Sequence, residues 1–214
     1  IKCGRCYAAC EDTSHQAIAM SDDRTFTVKD DECVACNLCV NVCPVENCIT
    51  MVQMPKGATD PRTGITYQTE DRGDSCFYRY VPTAPGKLLK GGALQALKLR
   101  GDDFFAADTK TGFLDLLNTP LPVEWVTIDD VDPAGDTLRF EAHAKGAAKF
   151  SRGEGIWYGN DLVYFVCSNG GDAGAGQIWA YDPSNETVTL VVESTSRDTL
   201  DAPDNITVGP NGRL

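Results

Sequence analysis

No apolar run in the 214-residue sequence approaches the roughly 20 residues that a membrane-spanning helix needs, so nothing in it reads as crossing a bilayer. Positive charge is also in short supply: 19 Lys and Arg stand against 31 Asp and Glu, a formal net charge of -12. The nearest approach to a basic cluster, Lys87, Lys90, Lys98 and Arg100, is small and dispersed. That argues against nucleic-acid binding, which relies on clustered Lys and Arg to neutralise phosphates. The opening has no initiator methionine, no basic stretch leading into an apolar core and no small-residue cleavage site. Ile1 therefore reads as neither a translation start nor a signal peptide, and a fragment or processed piece is expected. An acidic surface suits a redox protein that docks a basic partner, or a protein that holds hard cations such as Ca2+.

What the sequence does have is cysteine, unevenly placed: eight of the ten fall before residue 49, and only Cys76 and Cys167 follow. Cys33, Cys36, Cys39 and Cys43, followed by Pro44, read C-x2-C-x2-C-x3-C-P. This spacing binds a 4Fe-4S cluster through its first three thiolates and lends the fourth to a neighbouring cluster. Pro44 then ends the helical turn that carries Cys43. Cys3, Cys6 and Cys10 repeat the last three positions, which puts the first position of that motif just before Ile1. By the crossing rule, one cluster takes Cys33, Cys36, Cys39 and Cys10, and the other takes Cys3, Cys6 and Cys43 and is one thiolate short.

A disulfide framework would need an oxidising compartment and strained neighbouring bridges, and zinc sites rarely use three cysteines in a row at this spacing. Cys48, outside both motifs, reads as a small buried hydrophobe that could still substitute for the absent thiolate. His15, alone in a polar loop, has no assigned role. Residues 17–20 and 26–29 flank the polar turn Ser21-Asp22-Asp23-Arg24 and predict a hairpin; Ile49 to Val52 predicts a short closing strand. Two cysteine loops around a small sheet make an α+β two-cluster ferredoxin-type module.

The stretches CGRCYAACEDTSHQAIAM and CVACNLCVNVCPVENCITM resemble the C-terminal ferredoxin segment of dihydropyrimidine dehydrogenases, notably the bacterial NAD-dependent catalytic subunit, over residues 1–56. The resemblance implies a relay of electrons between a flavin-containing or other redox partner and a catalytic barrel whose sequence lies outside this chain. It also implies a cytoplasmic setting.

From about Asp60 the texture changes to short apolar stretches broken by Gly, Pro, Asp and Asn, among them ITYQTE, FYRYV, LVYFVCS, QIWAYD and VTLVVES. Frequent turns between short strands predict an all-β segment, with a β-propeller as first choice. The stretch GQIWAYDPSNETVTLVVES reads as one hairpin turning at residues 182–185. Acidic groups sit beside glycines at strand ends: residues 70–74, 129–132 and 152–155. Carboxylates from separate loops suit Ca2+ or a hard transition metal, and Arg152 beside Glu154 adds a phosphate clamp.

The stretches QTEDRGDSCFYRYVP, VEWVTIDDVD, HAKGAAKFSRGEGIWYGNDLVYFVCSNGG and APDNITVGPNG resemble the PhoX-type alkaline phosphatases, calcium- and iron-dependent phosphomonoesterases, from residue 60 to the last. The resemblance implies part of a six-bladed β-propeller, Glu70 and Glu154 as calcium or iron ligands, Arg152 as a phosphate contact, and Asp204 and Asn205 as weaker candidates. Cys76 and Cys167 do not match that family's cysteine ligand and are expected in the core. The family's remaining ligands lie outside this sequence, so phosphatase activity is not expected from the chain alone. The expected domains are 1–56 and 60–214. Ferredoxin chemistry belongs to a reducing cytosol and PhoX-type phosphatases are usually exported, so a recombination or assembly join is expected across residues 54–64.

Overall fold

The structure, a computed structural model, describes residues 2–12, 16–29, 32–33, 36, 38–46, 48–50, 64–85, 87–209 and 214. The chain divides into two units, Ile1–Thr59 and Asp60–Leu214.

In the first unit, helix α1 (Arg5–Asp12) starts beside Gly4, whose φ of 80° suits a residue without a side chain. A Cβ there would come within 2.9 Å of Arg24 Nη2. Strands β1 (Ile18–Met20) and β2 (Phe26–Val28) pair antiparallel with Ile18 opposite Val28. The predicted hairpin is therefore formed. Its polar turn is held by the Asp23 carboxylate, which accepts from Ser21 Oγ at 2.6 Å, Thr25 Oγ1 at 2.8 Å and Lys2 Nζ at 3.1 Å. These bonds, Ser21's foremost, hold that carboxyl well below the usual range. Helix α2 (Leu38–Asn41) packs against α1. Ile49 and Thr50 are not in a strand, whereas Met51 and Val52 of the predicted closing strand, His15 and residues 54–63 of the join lie outside the described residues.

The second unit is built from two four-stranded antiparallel meanders. The first is β3 (Thr66–Gln68), β4 (Tyr78–Pro82), β5 (Gly92–Leu99) and β6 (Leu121–Thr127). Helix α3 (Leu138–Ala144) follows; it is the one α-helix among this unit's described residues and qualifies the all-β expectation. The second meander is β7 (Gly153–Gly159), β8 (Leu162–Cys167), β9 (Gln177–Asp182) and β10 (Thr187–Glu193). They join into one eight-stranded sheet only where Thr187 faces Pro122 and Val188 faces Leu121. The opposite edges approach as well: Gly153 N–H donates to Glu70 O at 3.1 Å, and Thr69 Oγ1 to Glu154 O at 2.5 Å.

Period-two alternation explains the packing. Along β8, Val163, Phe165 and Cys167 enter the main core, while Tyr164 and Val166 enter a second cluster with Ala180 and Ile206. A strand covered on both faces reads as a continuous apolar run, as LVYFVC does. The main core closes between the meanders, where Phe77 stacks on Phe165 with centroids 4.2 Å apart and Phe150 meets Trp179 edge-on at 5.4 Å. Cys76 and Cys167 are buried. Burial pushes the Cys76 thiol up to about 12 and Cys167 higher still.

The turn between β9 and β10 is set by Asp182, whose carboxylate accepts from Ser184 N–H at 2.8 Å and Asn185 N–H at 3.2 Å. The next residue, Glu186, reaches inward to Tyr181 Oη at 2.8 Å, Trp125 Nε1 at 2.9 Å and Arg79 Nη1 at 3.3 Å, fastening one meander to the other. Among the described residues no helix is long and apolar enough to cross a membrane.

Candidate functional site

Each helix of the first unit spaces its cysteines by one turn. Cys6 and Cys10 lie four residues apart on α1, and Cys39 and Cys43 four apart along and just past α2. Their partners come from the loops ahead of the helices. Cys3, Cys6 and Cys43 line one cavity of about 310 Å3, walled by Ile18, Phe26, Val28, Val45 and Ile49. Arg24 straps its rim, donating from Nε to Lys2 O at 3.1 Å.

The second group forms around Cys39. Burial pushes its thiol up, against a hydrogen bond from Val40 N–H, and Cys33, Cys36 and Cys10 lie close enough to push it further. Ala17 N–H donates to Cys10 Sγ at 3.2 Å. The grouping is thus crossed: Cys10 of the first motif sits with the second, and Cys43 of the second sits with the first.

Cys48 departs from expectation. It is exposed rather than buried and lines the cavity of Cys3, Cys6 and Cys43. The turn after Pro44 returns the chain, with Cys48 N–H donating to Val45 O at 3.3 Å, and its thiol bonds to that of Cys43. That contact, foremost, raises the Cys48 thiol above its ordinary value.

All ten cysteines are described, and no disulfide joins them. Among the described residues no three His, Cys, Asp or Glu side chains converge closely enough to share a single metal ion. A cubane does not ask for that, because each thiolate takes a different iron. Cys3, Cys6 and Cys43 around an apolar-walled cavity fit such a cluster.

In the second unit the loops leading from β3 and into β7 meet. Arg152, at a φ of 55°, grips Asp71 with both arms (Nε to Oδ1 at 2.9 Å, Nη2 to Oδ2 at 3.1 Å) and reaches Glu154 Oε1 at 3.2 Å. Burial first, then the charges of Asp71 and Asp204, raises the Glu154 carboxyl above its ordinary value despite Arg152. The carboxylates of Asp71, Glu154 and Asp204 thus outnumber the single positive charge of Arg152 here. Gly155 N–H donates to Asp204 O at 2.8 Å, and a Cβ on Gly155 would come within 2.5 Å of Asn205 Oδ1. Glycine is needed for this loop to lie so close.

Glu70 accepts from Tyr78 Oη at 2.9 Å and Arg139 Nη1 at 3.5 Å. Arg139 also holds Asp74 at 2.7 Å and Asp136 at 2.8 Å. The structure therefore gathers Asp71, Arg152, Glu154, Asp204 and Asn205 at one end of β3 and β7, whereas the Glu70 carboxylate turns to Tyr78 and Arg139. The loop of residues 129–132 has a structural explanation instead: Asp129 and Asp130 N–H groups donate to Glu141 at 2.7 and 3.1 Å, and Lys145 holds Asp129 at 2.8 Å. Arg139 and Asp136 were missed in the sequence; the available signal was an arginine beside Leu138 and Ala142 on a helix of only seven residues.

Comparison with known families matches residues 1–51 to the 4Fe-4S dicluster domain and residues 52–214 to alkaline phosphatase PhoX. No solved structure matches the chain. Over the larger part of its length, then, the chain belongs to the alkaline phosphatase PhoX family, with a 4Fe-4S dicluster domain ahead of that region.

Proposed function

We propose that residues 1–56 transfer electrons through two 4Fe-4S clusters, as the ferredoxin segment of a dihydropyrimidine dehydrogenase-like oxidoreductase. The observation that carries this reading is the crossed grouping of thiols, Cys3, Cys6 and Cys43 around one cavity and Cys10 with Cys33, Cys36 and Cys39. Cys3, Cys6 and Cys43 would hold one cluster and Cys10, Cys33, Cys36 and Cys39 the other. The chemistry such groups supply is one-electron exchange at a potential set by hydrogen bonds to sulfur, burial and nearby charge. The protein contributes those settings: Ala17 N–H donates to Cys10 Sγ, and Ile18, Phe26 and Val28 supply apolar walls to the other cavity. A flavin-containing or other redox protein is the partner, and the cytoplasm, where thiols stay reduced, is the setting.

Anaerobic reconstitution with ferrous iron and sulfide, followed by iron counting and EPR of the dithionite-reduced chain, tests this reading. About eight irons per chain with two interacting signals is expected. A chain that takes up no iron overturns it.

The gathering of Arg152 with Asp71, Glu154 and Asp204 favours a second reading for residues 60–214: calcium- and iron-dependent phosphomonoester hydrolysis of the PhoX type. Glu70 and Glu154 would hold cations and Arg152 would contact phosphate. Each four-stranded meander would be one blade of a six-bladed propeller, a reading supported by the face-to-face packing of the two. Calcium titration by calorimetry tests it. Binding weakened about tenfold or more in Glu154→Gln is expected, since a carboxylate ligand is lost; calcium binding unchanged in that variant overturns it.

A further inference from the structure

We propose that the tip of the β4–β5 hairpin, residues 83–92, docks on an anionic lipid surface, with Leu88 and Leu89 entering the headgroup region and Lys87 and Lys90 meeting the lipid charges. Leu89 is fully exposed (103%) and Leu88 nearly half exposed (46%). Exposed leucines scattered singly are ordinary on protein surfaces. Two in succession at the end of a hairpin form a protruding apolar end.

The tip is held out rather than free to fold back. Strands β4 and β5 stay paired up to Pro82 and Gly92. Thr83 N–H and Oγ1 donate to Gly91 O at 2.9 and 3.0 Å, and Tyr80 Oη donates to Leu88 O at 3.1 Å. Lys90 N–H donates to Lys87 O at 2.9 Å, closing a single 3-10 turn over Leu88–Lys90. Two glycines permit this. Gly91 has a φ of 90°, and a Cβ on Gly92 would come within 2.4 Å of Val81 O and 2.6 Å of the Tyr80 ring.

Charge selects the occupant. In a chain of net charge -12, residues 75–101 contain Arg79, Lys87, Lys90, Lys98 and Arg100 and no Asp or Glu. Arg79 and Lys98 are paired with Glu186 and Glu124, at 3.3 and 2.7 Å. Lys87 and Lys90 are exposed and pair with no carboxylate among the described residues. The acidic loop of residues 129–132 adjoins β5 at Leu94, where Ile128 N–H donates to Leu94 O at 2.9 Å, and Lys145 holds its Asp129. Lys87 and Lys90 are thus the charges that flank the leucines.

Two leucines make too small a patch for a stable protein interface, which takes about 800 Å2 from each partner. A lipid surface asks for less area but for two signals together, apolar insertion and positive charge. The tip supplies both. The contact needs no spanning segment, and among the described residues no helix could provide one.

Co-sedimentation of the full chain with vesicles tests this. The chain should pellet with vesicles of phosphatidylcholine and phosphatidylglycerol in equal parts and stay in solution with phosphatidylcholine alone. Leu88→Ser combined with Leu89→Ser should weaken binding about tenfold or more, and Lys87→Gln combined with Lys90→Gln should weaken it similarly and flatten its salt dependence. Leu117→Ser, an exposed leucine ahead of β6 at the end away from the tip, should bind as the parent does. The four tip residues are exposed, so the urea midpoints of these variants should match the parent's, which separates lost binding from lost folding. No binding to the mixed vesicles, or equal binding by the double leucine variant, overturns the inference. A leucine-dependent dimer in sedimentation equilibrium without lipid overturns it too, in favour of contact between copies of this chain. Both functional readings stand whichever result is found, since the tip holds none of their residues.

Discussion

The two units answer the same thermodynamic question differently. Among the described residues of Ile1–Thr59 only Ala17 and Ile18 are buried apolar side chains, whereas Asp60–Leu214 buries Trp179, Tyr181, Phe77, Phe150 and Phe165 almost completely. The second unit has a core to set against the entropy of ordering its chain, whereas the described residues of the first have almost none, and small units in that position rely on metal or disulfide staples. With no disulfide present, the cysteines that serve electron transfer would also hold the unit together.

The largest effect that could break this comparison is iron withdrawal. Limited trypsin digestion of the iron-free chain should cleave throughout the first unit and spare the second, while reconstitution should restore protection to the first. Equal resistance of residues 2–50 with and without iron would show that the peptide alone suffices. Next comes the core of the second unit. Trp179→Ala removes a side chain packed on Phe113 and Phe150 and should cost about 3–5 kcal/mol, read as a lowered urea midpoint. A change below about 1 kcal/mol would mean that the meanders are not held by their shared core.

A smaller loss is expected at Arg139, which ties α3 to Glu70, Asp74 and Asp136. Burial disfavours the charge on Asp74, yet the Arg139 hydrogen bond and charge outweigh it and lower that carboxyl. The partners touch water, so screening keeps the effect of Arg139→Met at about 1–2 kcal/mol in the same urea assay. An unchanged midpoint would reduce the cluster to a surface arrangement.

How far these features could be read from sequence varied with their range. The strands were legible because alternation and turn residues are local: FYRYV, LVYFVC and QIWAYD are where β4, β8 and β9 lie. The hairpin around Asp23 was legible for the same reason. The two cysteine motifs were legible because C-x2-C and C-x3-C spacings are local, set by the reach of one loop and one helical turn. Cys48 was misread because its exposure depends on the turn after Pro44, which composition does not encode. The loop of residues 129–132 looked like the other acidic loops. Only the later helix, with Glu141 and Lys145 aimed back at it, shows that its charges are already matched. Arg139 was hard to read because two of its three carboxylate partners, Asp74 and Glu70, lie 65 and 69 residues away in sequence.

The smallest effect separates that matched loop from the excess charge around Glu154. Asp129 N–H first, then Lys145 and Asp130 N–H, lower the Glu141 carboxyl to about 2. A carboxyl lowered on folding adds stability above its unfolded value, and this stability is lost as pH falls through the folded one. The unfolded value is 4.5, so the contribution is complete above that pH and fades toward about 2. Lys145, itself raised by Asp129 and Glu141, stays protonated throughout the window and does not confuse the sign. Glu141→Gln should therefore lower the melting temperature at about pH 7, and the gap to the parent should close as the pH is taken from about 5 toward 2. Using the difference between two proteins cancels the other carboxylates that titrate in the same range. A gap that stays constant with pH would mean that the amide serves the Asp129 and Asp130 N–H groups as well as the carboxylate does, and that the charge on Glu141 contributes nothing to the loop.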